Sequence, residues 1–353
     1  MTARERVWAR LREGGLVEGP LPAQSATSEP WFVSLLLGLC GWFAALFLLA
    51  FVAVGLTPVL TRPLACLVLG GMALAAAYGL LSRQLNVFLD NLALAISLAG
   101  QALVLWAGLH WLESESAALW WAFALWQLAL TVIMSNDIHR VFSAFAAASC
   151  VAAGLALLGW GGVYAPLALA LAATLWLKAL TATRDIQRMR MPAWGVTGAL
   201  LAAQGLAHVF GAPTSPLALS TSQLWASWQG ELLCLLVMLG VWFVLLQRAA
   251  LDWRRPGVVL SLVGLFLIGL ACVPAPGLCS AITLVLLGFA LANRLLLGVG
   301  VLALLLFASR YYYLLDLTLL EKSGVLLLVA VLMLSVRLLL RHLSAGAPEP
   351  DHV

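Results

Sequence analysis

Between Trp31 and Leu343 the chain is a succession of apolar runs, about twelve of them, joined by short connections. Each run is close to the roughly 20 residues that a helix needs to cross the hydrocarbon of a bilayer. That repetition decides the class before any single residue is weighed. Only 10% of the residues are charged and 63% are hydrophobic, whereas charged residues make up about a quarter of a soluble globular domain. The expected fold is all-α, a polytopic transmembrane helix bundle of about 12 spans with both termini cytoplasmic.

The spacing places spans near 31–56, 63–81, 87–109, 117–135, 141–159, 163–182, 193–211, 230–247, 257–273, 277–292, 295–314 and 323–341. Pro63, Pro192, Pro256 and Pro276 stand at or near the starts of runs, where a missing N–H costs a helix nothing. Glycine and alanine recur within the runs, as at Gly70-Gly71 and Gly195-Gly198, and small residues let membrane helices approach closely. Three segments follow: 1–30, a cytoplasmic N-terminal segment; 31–343, a single transmembrane domain; and 344–353, a disordered tail. Residues 2–13 carry four arginines beside Val7, Trp8 and Leu11, with Gly14-Gly15 as a helix stop. They read either as a short basic amphipathic helix on the membrane surface or as a solvated basic tail. The first apolar run begins too late, and runs too long, for a cleavable signal peptide.

Lysine and arginine settle the expected orientation, because cytoplasmic loops are enriched in them. With the N-terminus inside, sixteen of the 19 basic residues fall on the cytoplasmic side, and only Arg62, Arg310 and Lys322 fall on the other. The net charge of +4 is thereby accounted for by topology, and no nucleic-acid partner is implied. The long outward connection from Gly211 to Gly230 holds Trp225 and Trp228. It suits an interfacial helix at the headgroups, or else a lid or docking surface.

Polar groups in hydrocarbon are costly, so each one within a run marks a candidate position. Gln101 and Gln127 lie at similar depth on consecutive spans and are read as a hydrogen-bonded pair across the hairpin, worth about 1 kcal/mol. Asp90, just after Ser82-Arg83-Gln84, either pairs with Arg83, caps its helix, or forms a proton or cation site. Gln204 and His208 share a helix face near the outer boundary, and Glu231 opens the next span at that boundary. A carboxylate beside an imidazole makes a proton-responsive pair, although a solvated interfacial His is the plainer reading. The stretch ASRYYYLLDLTLLEKS, from Ala308 to Ser323, concentrates Arg310, Tyr312, Asp316, Glu321 and Lys322 between the last two runs. It reads as an aromatic belt and turn, or as a small polar pocket built on Arg310 and Asp316.

No catalytic signature is present: no HExxH, GxSxG, P-loop or dinucleotide fingerprint occurs. The six cysteines form no CxxC and have no histidine at ligand spacing. They are read as small packing residues, and no metal, cofactor or catalytic residue is assigned.

The N-terminal LREGGL, the opening span PWFVSLLLGLCGWFAALFLLAF, FLDNLALAISLAGQAL, and LLLGFALANRLLLGVG followed by SRYYYLLDLTLLEKS together resemble the bacterial family of domain of unknown function 4401. The resemblance implies a protein of the bacterial inner membrane, encoded near a Gly-Asp-Tyr-motif membrane-anchored protein and a related multispan protein, and it implies no activity. The leading reading is therefore a non-enzymatic component of an envelope membrane-protein complex, with the lipid bilayer and other envelope membrane proteins as partners. The alternative is a secondary transporter or channel for a small solute, and a membrane-embedded enzyme comes third.

Overall fold

The computed structural model describes residues 61–83, 87–112, 116–134, 136–181, 186–210, 227–249 and 256–314, together with scattered positions before residue 56. Among these residues every regular element is a helix and there is no strand. We number ten helices in chain order: α1 Pro63–Leu81, α2 Val87–Trp111, α3 Ala117–Ile133, α4 Asp137–Leu157, α5 Gly161–Thr181, α6 Ile186–Phe210, α7 Ser227–Arg248, α8 Pro256–Cys272, α9 Leu278–Ala290 and α10 Arg294–Leu314. They coincide with the second to eleventh runs of the sequence. The first and twelfth runs fall largely or wholly outside the described residues. At the N-terminus, Trp8–Arg10 and Arg12–Glu13 are helical and Gly14-Gly15 form a turn, with Gly15 at φ +66°.

Among the described residues six helices are long and apolar enough to cross a membrane: α1, α2, α4, α5, α7 and α10. Two of the twelve expected spans, the first and the last, lie largely or wholly outside the described residues, and four of the ten described helices fall below that measure. α3 and α8 have 17 residues and α9 only 13, which at 1.5 Å per residue gives α9 about 20 Å against a hydrocarbon core of about 30 Å. α6 is 25 residues long but more polar, with Arg188 and Arg190 near its start. It begins at Ile186, so Pro192 lies inside the helix rather than in its first turn. Pro63 and Pro256, by contrast, are first residues of their helices.

The chain divides into two compact units, residues 1–107 and 108–353. In the first, α1 and α2 cross at Gly70 and Gly100. A Cβ on Gly70 would sit 2.7 Å from the Gly100 carbonyl oxygen, so nothing larger than glycine fits there without a shift.

In the second unit short connections reverse the chain repeatedly. α3 packs on α4, α7 on α8 and α9 on α10 as hairpins. α4 lies beside α6, and α5 beside α7. The close approaches are again at glycine: Gly195 of α6 against the Val141 carbonyl of α4, and Gly230 of α7 against the Gly162 carbonyl of α5. α4 starts where Asn136 caps it, its Oδ1 accepting from the Ile138 and His139 amides at 2.9 and 3.1 Å. α9 ends in a Schellman turn, in which the Asn293 amide donates to the Gly288 carbonyl and the Ala292 amide to the Phe289 carbonyl.

The core of this unit is built from α4 to α7 and α9, and includes Trp176, Leu169, Leu200, Met238 and Leu284. Trp176 meets Trp194 edge to face at 5.1 Å and donates its indole N–H to Thr197 Oγ1. On the outside, aliphatic and aromatic side chains are widely exposed: Leu125, Leu128 and Val132 of α3, Val263, Phe266 and Leu267 of α8, Leu302 and Leu305 of α10. Water tolerates no such continuous apolar surface on a monomer. A bilayer does, and the exposed faces are those of membrane helices.

Candidate functional site

α7 carries a carboxylate into the bundle. Glu231 is the fifth residue of that helix, about 6 Å from its start at 1.5 Å per residue, and is only 4% exposed. Its side chain turns toward the start of α9. Glu231 Oε1 accepts a hydrogen bond from the backbone N–H of Gly277 at 3.0 Å, while Oε2 accepts none among the described residues.

The receiving end is shaped by the turn between α8 and α9, Val273-Pro274-Ala275-Pro276-Gly277. Gly277 has φ +90°, a left-handed value open to glycine and strained for other residues. Space demands glycine as well, because a Cβ there would stand 2.8 Å from the Phe307 ring of α10. The turn presents the Gly277 amide at the helix start to a negative group, and Glu231 supplies it from another helix. This contact places the beginning of α9 level with the second turn of α7.

One turn further along both helices a second polar contact follows. Gln204 of α6 donates from Nε2 to Ser280 Oγ at 2.9 Å, and the Ser280 hydroxyl points at Cys234 Sγ at 3.9 Å. Gln204 Oε1 is buried without a hydrogen-bond partner among the described residues, as is the hydroxyl of Tyr164 at the same end of the bundle. Three helices thus converge on a short polar line, Glu231–Gly277 and Gln204–Ser280–Cys234, enclosed by core residues. Its chemistry is that of oxygen acceptors: a carboxylate oxygen and an amide oxygen with spare lone pairs and, among the described residues, no cationic side chain paired to either. Such a set can hold a proton or a small cation, and it fastens α6, α7 and α9 together.

The other positions expected from the sequence lie on other elements or outside the described residues. Asp90 lies in the first turn of α2, half-buried, and among the described residues forms no ion pair with Arg83, which is exposed. Gln101 is buried in α2, its Nε2 3.4 Å from Ser97 Oγ. Gln127 is buried in α3, and its main-chain carbonyl accepts the Thr131 hydroxyl. His208 is in the helical end of α6, but its side chain lies outside the described residues, so its pairing with Glu231 does too. Arg310 stands in the last turns of α10 with Nε buried and unpartnered among the described residues. Tyr312 is half-buried and meets Tyr313 edge to face at 6.0 Å. Asp316, Glu321 and Lys322 lie outside the described residues.

Sequence reasoning reached Glu231 and Gln204 but not their partners. Ser280 and Gly277 sit in a run that reads as plain span and turn, and Cys234 reads as packing. The one available signal was the Pro-Ala-Pro-Gly sequence, which breaks the apolar pattern just where α9 begins. His139 was also missed: it is fully buried near the start of α4, its Nδ1 3.1 Å from Ser143 Oγ.

A family model described as Domain of unknown function (DUF4401) matches residues 30–343, nearly the whole chain. No curated protein and no solved structure matches.

Proposed function

The chain belongs to the DUF4401 family, and from that premise we propose that it is a multi-pass protein of the bacterial inner membrane, without enzymatic activity, working as a subunit of an envelope membrane-protein complex. In this reading all twelve apolar runs enter the membrane, both termini are cytoplasmic, and the short α9 completes its passage through the turns at either end. The partners are other integral envelope proteins, among them a Gly-Asp-Tyr-motif membrane-anchored protein.

The observation that carries the reading is how the polar side chains of residues 108–353 are used. Glu231 holds the start of α9, and Gln204 holds Ser280. Trp242 donates to Ser261 across the α7–α8 hairpin, and Arg248 donates to the Leu177 carbonyl at the end of α5. Each joins one helix to another, which is the work of a framework. Interhelical hydrogen bonds in membranes contribute about 0.6 to 2 kcal/mol each, so several together fix one arrangement of the bundle.

A second reading, a secondary transporter, rests on one specific feature. The spare oxygens of Glu231 and Gln204 lie beside the start of a helix too short to span, and transporters place ion sites at interrupted helices of this kind.

Purification from native membranes in mild detergent, followed by quantitative mass spectrometry, tests the first reading. Stoichiometric co-purification of at least one other integral protein is expected, with no flux in proteoliposomes. A lone protein that supports proton- or cation-driven flux, abolished by Glu231→Gln, would overturn it in favour of the second.

A further inference from the structure

At the opposite end of the same bundle the C-terminal end of α5, the N-terminal part of α6 and the α9–α10 turn line an open cavity of about 500 Å³. Its lining includes Trp176, Ala179, Leu291 and Asn293, and two arginines, the half-buried Arg190 and the exposed Arg294. Neither arginine forms an ion pair with a carboxylate among the described residues. Two like charges line one space, and no carboxylate is among the lining residues described.

The backbone adds to the same polarity. Asn293 caps α10, its Oδ1 accepting from the Leu296 amide at 3.2 Å. The amides of Arg294 and Leu295 are among the donors that a helix start leaves outside its own ladder, and both residues line the cavity. The positive end of the α10 dipole therefore opens onto the cavity that the two arginines line.

We infer that this cavity binds a phosphate group. Arginine forks match phosphate oxygens in pairs, and phosphate supplies the charge and the acceptors that two guanidinium groups and two amides require. The volume lies within the roughly 300–1,000 Å³ of small-molecule sites and exceeds what phosphate alone needs. The Trp176 indole and the Leu291 side chain offer an apolar wall to whatever carries the phosphate. Two sources have this chemistry: the headgroup of an anionic phospholipid and a soluble phosphate. Basic pockets between membrane helices are natural seats for the former.

The test uses the full chain in phosphatidylcholine nanodiscs. In one arm inorganic phosphate is titrated against chloride at constant ionic strength while the unfolding midpoint is followed. In the other, phosphatidylglycerol replaces part of the phosphatidylcholine, and the phospholipid retained on the protein is counted by native mass spectrometry. Stabilisation or selective retention in at least one arm is expected, and the responsive arm identifies the source. Arg190→Gln with Arg294→Gln should weaken the effect about fivefold per arginine, and Ala179→Phe, which fills the cavity and leaves both charges, should weaken it as well. Arg83→Gln, an exposed arginine outside the cavity, should leave it unchanged. The inference falls if the parent protein prefers neither phosphate over chloride nor phosphatidylglycerol over phosphatidylcholine. It falls equally if the arginine and Ala179 variants bind as the parent does, or if Arg83→Gln loses as much as they do.

Discussion

Glu231 divides its two oxygens between different tasks, and substitution separates them. Oε1 satisfies the Gly277 amide; Oε2 has no partner among the described residues. Glutamine keeps an acceptor of the same reach while discarding the charge, so Glu231→Gln should fold and stay within about 1 kcal/mol of the parent. Alanine leaves the Gly277 amide without its acceptor in a buried place, and Glu231→Ala should cost about 1–3 kcal/mol. Thermal unfolding in detergent measures both, and an alanine variant as stable as the parent would remove the clasp from the account. A contact of this kind could not be read from the chain beforehand. Glu231 was visible as an acid at a span start, but its partner is a main-chain N–H 46 residues away, and main-chain donors have no signature in a sequence.

At the scale of the helix, the places where chain and structure agree are those where the stop signals are local. α1 runs from Pro63 to Leu81 as expected, because proline opens it and the polar Ser82-Arg83 pair follows it. α6 starts seven residues earlier than its apolar pattern, at Ile186. Helix formation does not need an apolar residue at every step, and Gln187, Arg188 and Arg190 extend the helix beyond its greasy part. The α9–α10 turn shows the converse, a stop that composition conceals. Ala292 occupies the left-handed position of the Schellman turn at φ +49°, where glycine is usual. The left-handed region costs a residue with a Cβ roughly 1–2 kcal/mol, part of which glycine gives back through its freer unfolded chain. Ala292→Gly should therefore raise stability by about 0.5–1 kcal/mol, as a higher midpoint of thermal unfolding. A lowered midpoint would mean that the alanine methyl group contributes packing that outweighs the strain.

For the molecule as a whole, orientation joins the two polar ends of the 108–353 unit. Arg248 at the end of α7 reaches the Leu177 carbonyl near the end of α5, and Arg190 and Arg294 share one cavity with residues of that same α5 end. Lys178 and Arg188 lie close by in sequence on α5 and α6. The helices of this unit thus gather at one end Lys178, Arg188, Arg190, Arg248 and Arg294, which the sequence scatters over more than a hundred positions, while Glu231, Gln204 and Tyr164 gather at the other, where Arg310 lies near the end of α10. Cationic ends stay with the cytoplasm because lysine and arginine resist translocation, and the bias of sixteen to three concerns the same residues. The arginine-rich end should then be cytoplasmic and the Glu231 end should face the other side of the membrane. Activity-reporter fusions placed after Arg190 and after Arg255 are expected to report the cytoplasm, and a fusion near Ser220 the opposite compartment. A helix of 13 residues such as α9 makes this a real test. If α9 turned back without crossing, every later connection would change sides, and a fusion after Lys322 would report the cytoplasm. With α9 crossing, a fusion there reports the far side, so that one position decides whether the short helix that Glu231 holds is a span.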